Sequence, residues 1–221
     1  MPNDLPSIIE QLPASKRTIV EYLKANEPAR AEDIADALGV TVSGIRQQLA
    51  GLVSEGFVTY EAHRGQPGRP RHLYRLTEHG DGLFPRNYGS LAVEMVQFMG
   101  EEDPALLDRL LERRSSRRLE RLRPMLEGAP FDERVRLVAS MLDTEGFMVR
   151  VEETPDGYLI VEQNCSMLDV ARADVRLCDS ELAFIQQALP GATVTRVRHT
   201  LEGDTSCAYL VAPGDAELAA Q

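Results

Sequence analysis

Between Ala31 and Leu76 two short helical patterns and a two-strand ribbon follow one another with almost no slack, and no other stretch of the 221 residues restricts the fold so tightly. In the first pattern, 31–38, Ile34, Ala35 and Leu38 fall on one face, and Gly39 supplies a left-handed C-terminal position. Thr41 is placed to cap a second helix, in which Ile45, Leu49, Leu52 and Val53 recur at helical spacing as an inward stripe. Ser43, Gln47, Ala50 and Ser54 then face outward, with Arg46 on the flank. A face that only meets water more often carries Glu and Lys. One that approaches base edges needs short side chains, an amide and a guanidinium.

The ribbon completes the pattern. Residues 57–62 and 72–76 read as paired strands around Arg64-Gly65-Gln66-Pro67-Gly68-Arg69-Pro70-Arg71. From Ala62 to Thr77 there are four Arg (Arg64, Arg69, Arg71, Arg75) and no acidic residue. Gly and Pro let the backbone approach a phosphate, and Arg neutralises it, which is the salt-dependent part of DNA affinity. A solvated hairpin would explain the ribbon alone. The order of helix, helix and basic ribbon is that of a winged helix-turn-helix, whose expected partner is double-stranded DNA. The expected contacts are Thr41, Ser43, Arg46 and Gln47 on the second helix, with Arg64, Gln66, Arg69 and Arg71 on the wing.

A net charge of −11 would argue against a nucleic-acid partner if it were spread evenly. Residues 1–80 hold nine Lys/Arg against ten Asp/Glu, and the remainder holds fifteen against twenty-five, so the acidity lies outside the proposed DNA module. The chain shows no apolar run of membrane-spanning length and no leader pattern, so the expectation is a cytoplasmic protein without a membrane partner. Three cysteines do not make a disulfide framework, and in a reducing compartment they read as buried thiols or metal ligands.

The expected fold class is α+β. A winged helix-turn-helix occupies 1–84, a helical dimerisation linker 85–128, and a small antiparallel α/β sensor domain 129–221. Ser15 is expected to cap a first helix carrying Ile19, Val20 and Leu23, with Ile8, Ile9 and Leu12 packed on the module or on a partner chain. Pro85 and Asn87 mark a boundary. The linker reads as two helices, broken near Gly100 and reopened at Asp103-Pro104, with Pro104 at a first helical position. On the second of these, Leu106, Leu107, Leu110, Leu111, Leu119, Leu122 and Leu126 offer a stripe for a homodimer. Arg113, Arg114, Arg117, Arg118 and Arg121 read either as a solvated face paired with Glu112 and Glu120 or as added phosphate contacts. Dimerisation is expected because two-fold regulators read two half-sites. Beyond a further helix over 131–145, two hairpins (147–152 with 158–163, and 193–201 with 207–211) are expected to form one antiparallel sheet, with helices over 168–172 and 179–189.

Cys165, Cys178 and Cys207 lie at the ends of those elements, separated by twelve and twenty-eight residues. Read alone they are three buried thiols, a zinc site or ligands of a cluster. With the wing Gly-Gln-Pro-Gly-Arg-Pro-Arg and the Asn164-Cys165 step, the chain from about Arg17 to Val211 resembles the SufR-type regulators, winged-helix repressors of iron–sulfur cluster assembly genes. That family carries four cysteines in its C-terminal domain, with twelve, thirteen and fourteen residues between them. Three of the four frames are filled here and the third falls on Ala192. The resemblance implies an iron–sulfur cluster, of the 4Fe-4S kind, held by Cys165, Cys178 and Cys207. Imidazole replaces thiolate in some centres, and His199, on the first strand of the hairpin that returns Cys207, is the candidate fourth ligand. Asp179, Asp204 or an open position are the alternatives.

These readings make the chain a homodimeric DNA-binding regulator, a repressor of iron–sulfur assembly genes under cluster control. The runner-up is the same architecture answering to a small molecule or zinc, with the cysteines structural. A thiol enzyme using Cys165 or Cys207 with His199 is the third, and no phosphate loop, paired-carboxylate arrangement or oxyanion motif supports it, so the chain is not expected to be an enzyme.

Overall fold

The computed structural model describes residues 8–63 and 71–214. The chain divides into two compact units, Met1–Arg86 and Asn87–Gln221. The division falls where Pro85 and Asn87 interrupt the helical pattern.

The first unit consists of α1 (Ala14–Asn26), α2 (Ala31–Leu38), α3 (Val42–Ser54), β1 (Val58–His63), β2 (Arg71–Leu76) and a single turn, α4 (Glu78–Asp81). Gly39 closes α2 at φ 67°, ψ 31°, a left-handed geometry that glycine adopts without steric cost. The inward stripes interlock as expected: Ile19, Val20, Leu23, Ile34, Ala35, Ile45, Leu49 and Leu52 form one core with Val58, Tyr74 and Leu76 of the ribbon. Burial of a Leu or Ile here is worth about 1.5–3 kcal/mol. Ile9 and Leu12 join this core, whereas Ile8 stays exposed. Ser15 is not the cap of α1. Pro13 occupies that position with no side-chain bond, and the helix begins one residue before Ser15.

Strands β1 and β2 pair antiparallel with Val58 opposite Leu76 and His63 opposite Arg71. The segment between α1 and α2 adds a bridge, in which Ala29 and Tyr74 exchange backbone hydrogen bonds of 3.0 and 2.8 Å. The base of the ribbon is locked by Thr77, whose hydroxyl donates to the Gly56 carbonyl at 2.6 Å and accepts from the Gly80 N–H at 3.0 Å. A Cβ on Gly80 would stand 2.0 Å from the Phe57 carbonyl oxygen, so only glycine lets α4 close against the start of β1.

The second unit holds α5 (Tyr88–Glu102), α6 (Pro104–Leu126), α7 (Phe131–Leu142), β3 (Val149–Thr154), β4 (Gly157–Glu162), α8 (Leu168–Ala173), α9 (Arg176–Ala188), β5 (Ala192–Arg198) and β6 (Cys207–Pro213). Its sheet has the order β3-β4-β6-β5 with every pair antiparallel, the two expected hairpins joined through β4 and β6. Pro155-Asp156 turns the first hairpin. Gly157 then runs at φ 130°, where a Cβ would meet the Val211 carbonyl oxygen at 2.3 Å.

Helices α5 and α6 span most of 85–128, the stretch expected as a helical dimerisation linker, and they pack inside this unit, α5 against α8 and α6 against α9 and α7. Gly100 does not break α5, which continues to Glu102. Asp103 caps α6 by accepting the Ala105 N–H at 3.0 Å, and Pro104 is its first residue. Most leucines of α6 are consumed internally: Leu107 and Leu122 are buried, Leu111, Leu119 and Leu126 pack against the same cores, and Leu110 stays exposed. Little of that stripe remains for a partner chain. Among the described residues no helix is long and apolar enough to cross a membrane.

Candidate nucleic-acid interface and cysteine site

Helix α3 starts where Thr41 Oγ1 accepts the Gly44 N–H at 3.2 Å. Ile45, Leu49 and Leu52 are buried, which fixes the rotation of the helix and leaves Ser43, Arg46, Gln47, Ala50 and Ser54 in solvent. Arg46 reaches back to Glu32 of α2 at 2.6 Å, with both side chains about half exposed. An exposed pair of this kind is worth at most about 1 kcal/mol and yields readily to a phosphate. Lys16 pairs with Glu55 across α1 and the end of α3.

On the ribbon, Tyr60 stacks on His72 with ring centroids 4.3 Å apart, and Arg75 pairs with Glu61 at 2.7 Å. The stack was not singled out from sequence, although the facing positions of two strands were its signal. Arg71 opens β2. Arg64, Gln66 and Arg69, the tip of the expected wing, lie outside the described residues.

Residues 15–68 match the family described as FaeA-like protein. The span takes in α1, α2, α3 and β1. No curated protein matches the chain. Among solved structures, the PcaV transcriptional regulator from Streptomyces coelicolor, in complex with its natural ligand, is similar at 21% identity over 48% of this chain and 77% of that one, with a TM-score of 0.31. A MarR/EmrR family transcriptional regulator from Acinetobacter sp. ADP1 is similar at 18% identity over 53% of this chain and 78% of that one, TM-score 0.30. Bacillus subtilis PadR in complex with operator DNA gives 16% identity over 74% and 98%, TM-score 0.30. None of these likenesses bears on the SufR-type resemblance, which rests on the cysteine frame and the wing motif.

In the second unit one end of the sheet collects the chemistry-bearing residues. Cys207 is the first residue of β6 and lies opposite Glu162, the last of β4. Cys165 follows three residues later. Its position is set by Asn164, whose side-chain amide donates to the Gly146 carbonyl at 2.7 Å and whose N–H donates to the Phe147 carbonyl at 3.0 Å. Gly146 (φ 90°) and Met148 (φ 51°) form the left-handed turn that makes this reach possible. Cys178 lies in the first turn of α9, and Arg196 of β5 donates to its carbonyl at 3.0 Å and pairs with Asp179 at 3.1 Å. The start of α9 is three residues earlier than expected, which places Cys178 within the helix rather than ahead of it.

Sulfur contacts are consistent with a polar thiol site. The Thr200 N–H and hydroxyl lie 3.5 and 3.4 Å from Cys207 Sγ, and the Met167 N–H bonds the Cys165 sulfur. Burial pushes the Cys165 thiol up, helped by the neighbouring Cys207, Glu162 and Glu181. Burial also pushes Cys178 up to about 11, and Cys165 and Cys207 add to it. Both shifts disfavour the thiolate. A thiol nucleophile requires the opposite shift. A bound cation would reverse the sign and draw the protons off.

His199 sits at the same end, just past Arg198, which pairs with Ala208. It is 4% exposed. Its Nδ1 lies 3.2 Å from Glu202 Oε1, yet neither ring nitrogen makes a hydrogen bond. A buried imidazole with both nitrogens unsatisfied is costly, and a ligand would relieve that cost. Asp204 is committed elsewhere, accepting the His199 N–H at 2.7 Å. Ala192, in the empty family frame, begins β5 opposite Pro213, six positions along β6 from Cys207 and about 20 Å away at a strand's rise. Among the described residues no three His, Cys, Asp or Glu side chains are close enough to hold one metal ion. A single zinc has no ready-made site here. A cluster offers separate irons as attachment points and takes its thiolates further apart.

Sequence reasoning missed the charged network beside the thiols. Arg118 of α6 is 2% exposed and lies flat over Phe184 with the guanidinium carbon 3.7 Å from the ring centroid. It is held by Glu181 at 2.7 Å and Glu145 at 2.8 Å. Glu162 has one carboxylate oxygen without a partner; burial, then Glu181, push its pKa up to about 8, against the pull of Arg118 and a hydrogen bond with Tyr209. Among the described residues Arg114, Arg118 and Arg121 of the α6 run pair with Glu181 of α9 or with the partly buried Glu145 after α7, rather than with Glu112 or Glu120.

Proposed function

We propose that the chain is a DNA-binding transcriptional regulator that reads its operator with α3 and the adjoining ribbon as a homodimer. The observation that carries the reading is the small, solvent-facing surface Ser43, Arg46, Gln47, Ala50 on a capped helix whose rotation is fixed by a buried stripe, directly followed by the antiparallel ribbon. Arg and Gln are the side chains that bond guanine and adenine edges, and Thr41 and Ser43 at the N-terminus suit a phosphate. The homodimer would use α5, where Leu91, Met95 and Phe98 are 51%, 56% and 60% exposed at successive spacings of four and three residues. That is the seam spacing of a helix meeting its own copy.

The regulatory signal in this reading is an iron–sulfur cluster held by Cys165, Cys178 and Cys207, with His199 as the fourth ligand. When bound, such a cluster supplies redox-sensitive and oxygen-labile iron. The chain's own residues supply the rest: Thr200 and Met167 direct N–H groups at two sulfurs, Asn164 fixes the Cys165 loop, and Arg196 ties the first turn of α9 to β5. Loss of the cluster leaves three thiols without a metal and an unsatisfied imidazole in the second unit, and DNA affinity falls. The genes controlled would be those of cluster assembly, and the regulator a repressor. The same architecture with structural cysteines, answering to a small molecule or zinc, is the second reading. Cys178 favours it, being packed with Leu177 and Leu201 in an apolar cluster.

Iron, sulfide and zinc content with a visible spectrum, on protein purified without oxygen, tests the signal. Iron and sulfide that are lost in Cys165→Ser support the first reading; colourless protein after reconstitution removes it and leaves the DNA-binding proposal standing. Operator selection from random duplexes tests that proposal separately.

A further inference from the structure

Helix α6 carries a second feature that DNA reading does not use. Leu110, Arg113, Arg114, Arg117, Arg118, Glu120, Arg121 and Glu145 line a groove of about 750 Å³ in the second unit. Five guanidiniums face it against two carboxylates on its wall. Arg118 is its buried floor, saturated by Glu181 and Glu145. Arg114 shares the same two acids at 3.3 and 3.5 Å, and Arg121 reaches Glu145 only at 3.6 Å. Arg113 and Arg117, exposed and one turn apart, form no ion pair among the described residues. Cations repeated at three- and four-residue spacing on one helix repel one another. This concentration of positive charge belongs to a stretch that is otherwise strongly acidic, with fifteen Lys/Arg against twenty-five Asp/Glu from residue 81 onward. A general basic character of the chain does not explain it.

We propose that this groove is a binding site for a compact, multiply charged oxyanion, held by Arg113, Arg117 and Arg121 over the fixed Arg118 floor. Three features favour a small ligand. The volume lies in the range of small-molecule sites, on the order of 300–1,000 Å³. The floor guanidinium is immobilised by two carboxylates and an aromatic face, so the wall Arg side chains close on the ligand while the base stays still. Guanidinium forks match phosphoryl and carboxylate oxygens two at a time. An anion there removes the repulsion between neighbouring turns of α6, and binding would stabilise the second unit. The inference does not depend on whether the cysteines hold a cluster.

The test is calorimetric titration of the full chain at low ionic strength with inorganic pyrophosphate, and in parallel with citrate, for wild type and the double variant Arg113→Gln, Arg117→Gln. Both positions are exposed, so the variant keeps its fold, which far-UV circular dichroism checks. Arg136→Gln, at a surface pair with Glu153 elsewhere in the unit, is the control. The expected result is one anion per chain, a rise in thermal midpoint on binding, and at least a tenfold loss of affinity in the double variant but not in the control. Tighter binding of pyrophosphate assigns the phosphoryl class, and tighter binding of citrate the polycarboxylate class. The proposal is overturned if wild type binds neither probe, or if the double variant binds them equally well. It is also overturned if the variant's only change is a smaller salt dependence of binding to non-specific duplex, which would make these Arg phosphate contacts to DNA.

Discussion

Replacing Arg118 with Met tests the interior of the second unit. The side chain is 2% exposed, and its removal strips Glu181, itself 3% exposed, of contacts at 2.7 and 3.2 Å. Glu145 loses contacts at 2.8 and 3.1 Å, and Phe184 loses the guanidinium stacked 3.7 Å above it. Arg114 is left as the remaining cation within reach of both acids, at 3.3 and 3.5 Å. Breaking a buried pair from one side costs about 3–5 kcal/mol, because the abandoned charge stays in a poorly solvated site. With a urea dependence of about 1–3 kcal/mol per molar, the midpoint for the second unit should fall by roughly 1–5 M. The chain has no Trp, so far-UV circular dichroism and tyrosine fluorescence are the signals. Removing both partners, Arg118→Met with Glu181→Leu, should recover most of the loss, since an apolar replacement leaves no orphaned charge. A loss below about 1 kcal/mol in the single variant would mean that Arg118 is hydrated and held no more firmly than a surface pair. A double variant no better than the single one would show that the network itself holds α6 on α9.

Glu162 gives a pH signature of defined sign. Its folded pKa is raised from the ordinary 4.5 to about 8, so between those values the unfolded chain releases a proton that the folded chain keeps. Stability attributable to this group should fall with rising pH across that window and level off above it, by up to a few kcal/mol. Glu162→Gln should flatten the slope and be the more stable protein at pH 8 in urea titrations at several pH values; an unchanged slope would assign it to other groups. Gly80→Ala should destabilise the first unit by about 1–3 kcal/mol or more, since its Cβ meets the Phe57 carbonyl at 2.0 Å, and thermal unfolding that is indistinguishable from wild type would contradict the closure of α4. Arg46→Ala and Gln47→Ala should each cost about 1–3 kcal/mol on a selected operator and much less on random duplex, measured by fluorescence anisotropy; equal losses on both would make them phosphate contacts.

Much of the first unit is legible in the residues themselves. Gly39, Thr41 and the Ile45, Leu49, Leu52 stripe fix the turn, the start and the rotation of α3 through local rules. Pro13 took the capping place assigned to Ser15 because an N-cap is decided by where the first intrahelical bond forms, and a hydroxyl two residues further on does not move it. In the second unit the hairpins were readable from alternation and from Pro155-Asp156-Gly157. The fate of 85–128 was not, since helical periodicity records which face is apolar and says nothing of what covers it. Arg118 is the sharpest case. Its neighbours in sequence suggest a solvated run, and its partners Glu145 and Glu181 stand 27 and 63 residues away. The spacing of Cys165, Cys178 and Cys207 shows only that each falls near the end of an element; among the described residues the three do not form a ready-made metal-holding group. That His199 lies near Cys207 was readable from the hairpin, whereas the six-position separation of Ala192's partner Pro213 from Cys207 depended on the strand register, which no single-sequence spacing contains.

The most direct test of regulation by the cysteine site is quantitative footprinting on one selected operator, comparing anaerobically reconstituted protein, the same protein after chelation, and Cys165→Ser. The account expects the reconstituted protein to bind at least tenfold more tightly than the other two, which should resemble each other. Equal affinity in all three would contradict control through the cysteine site.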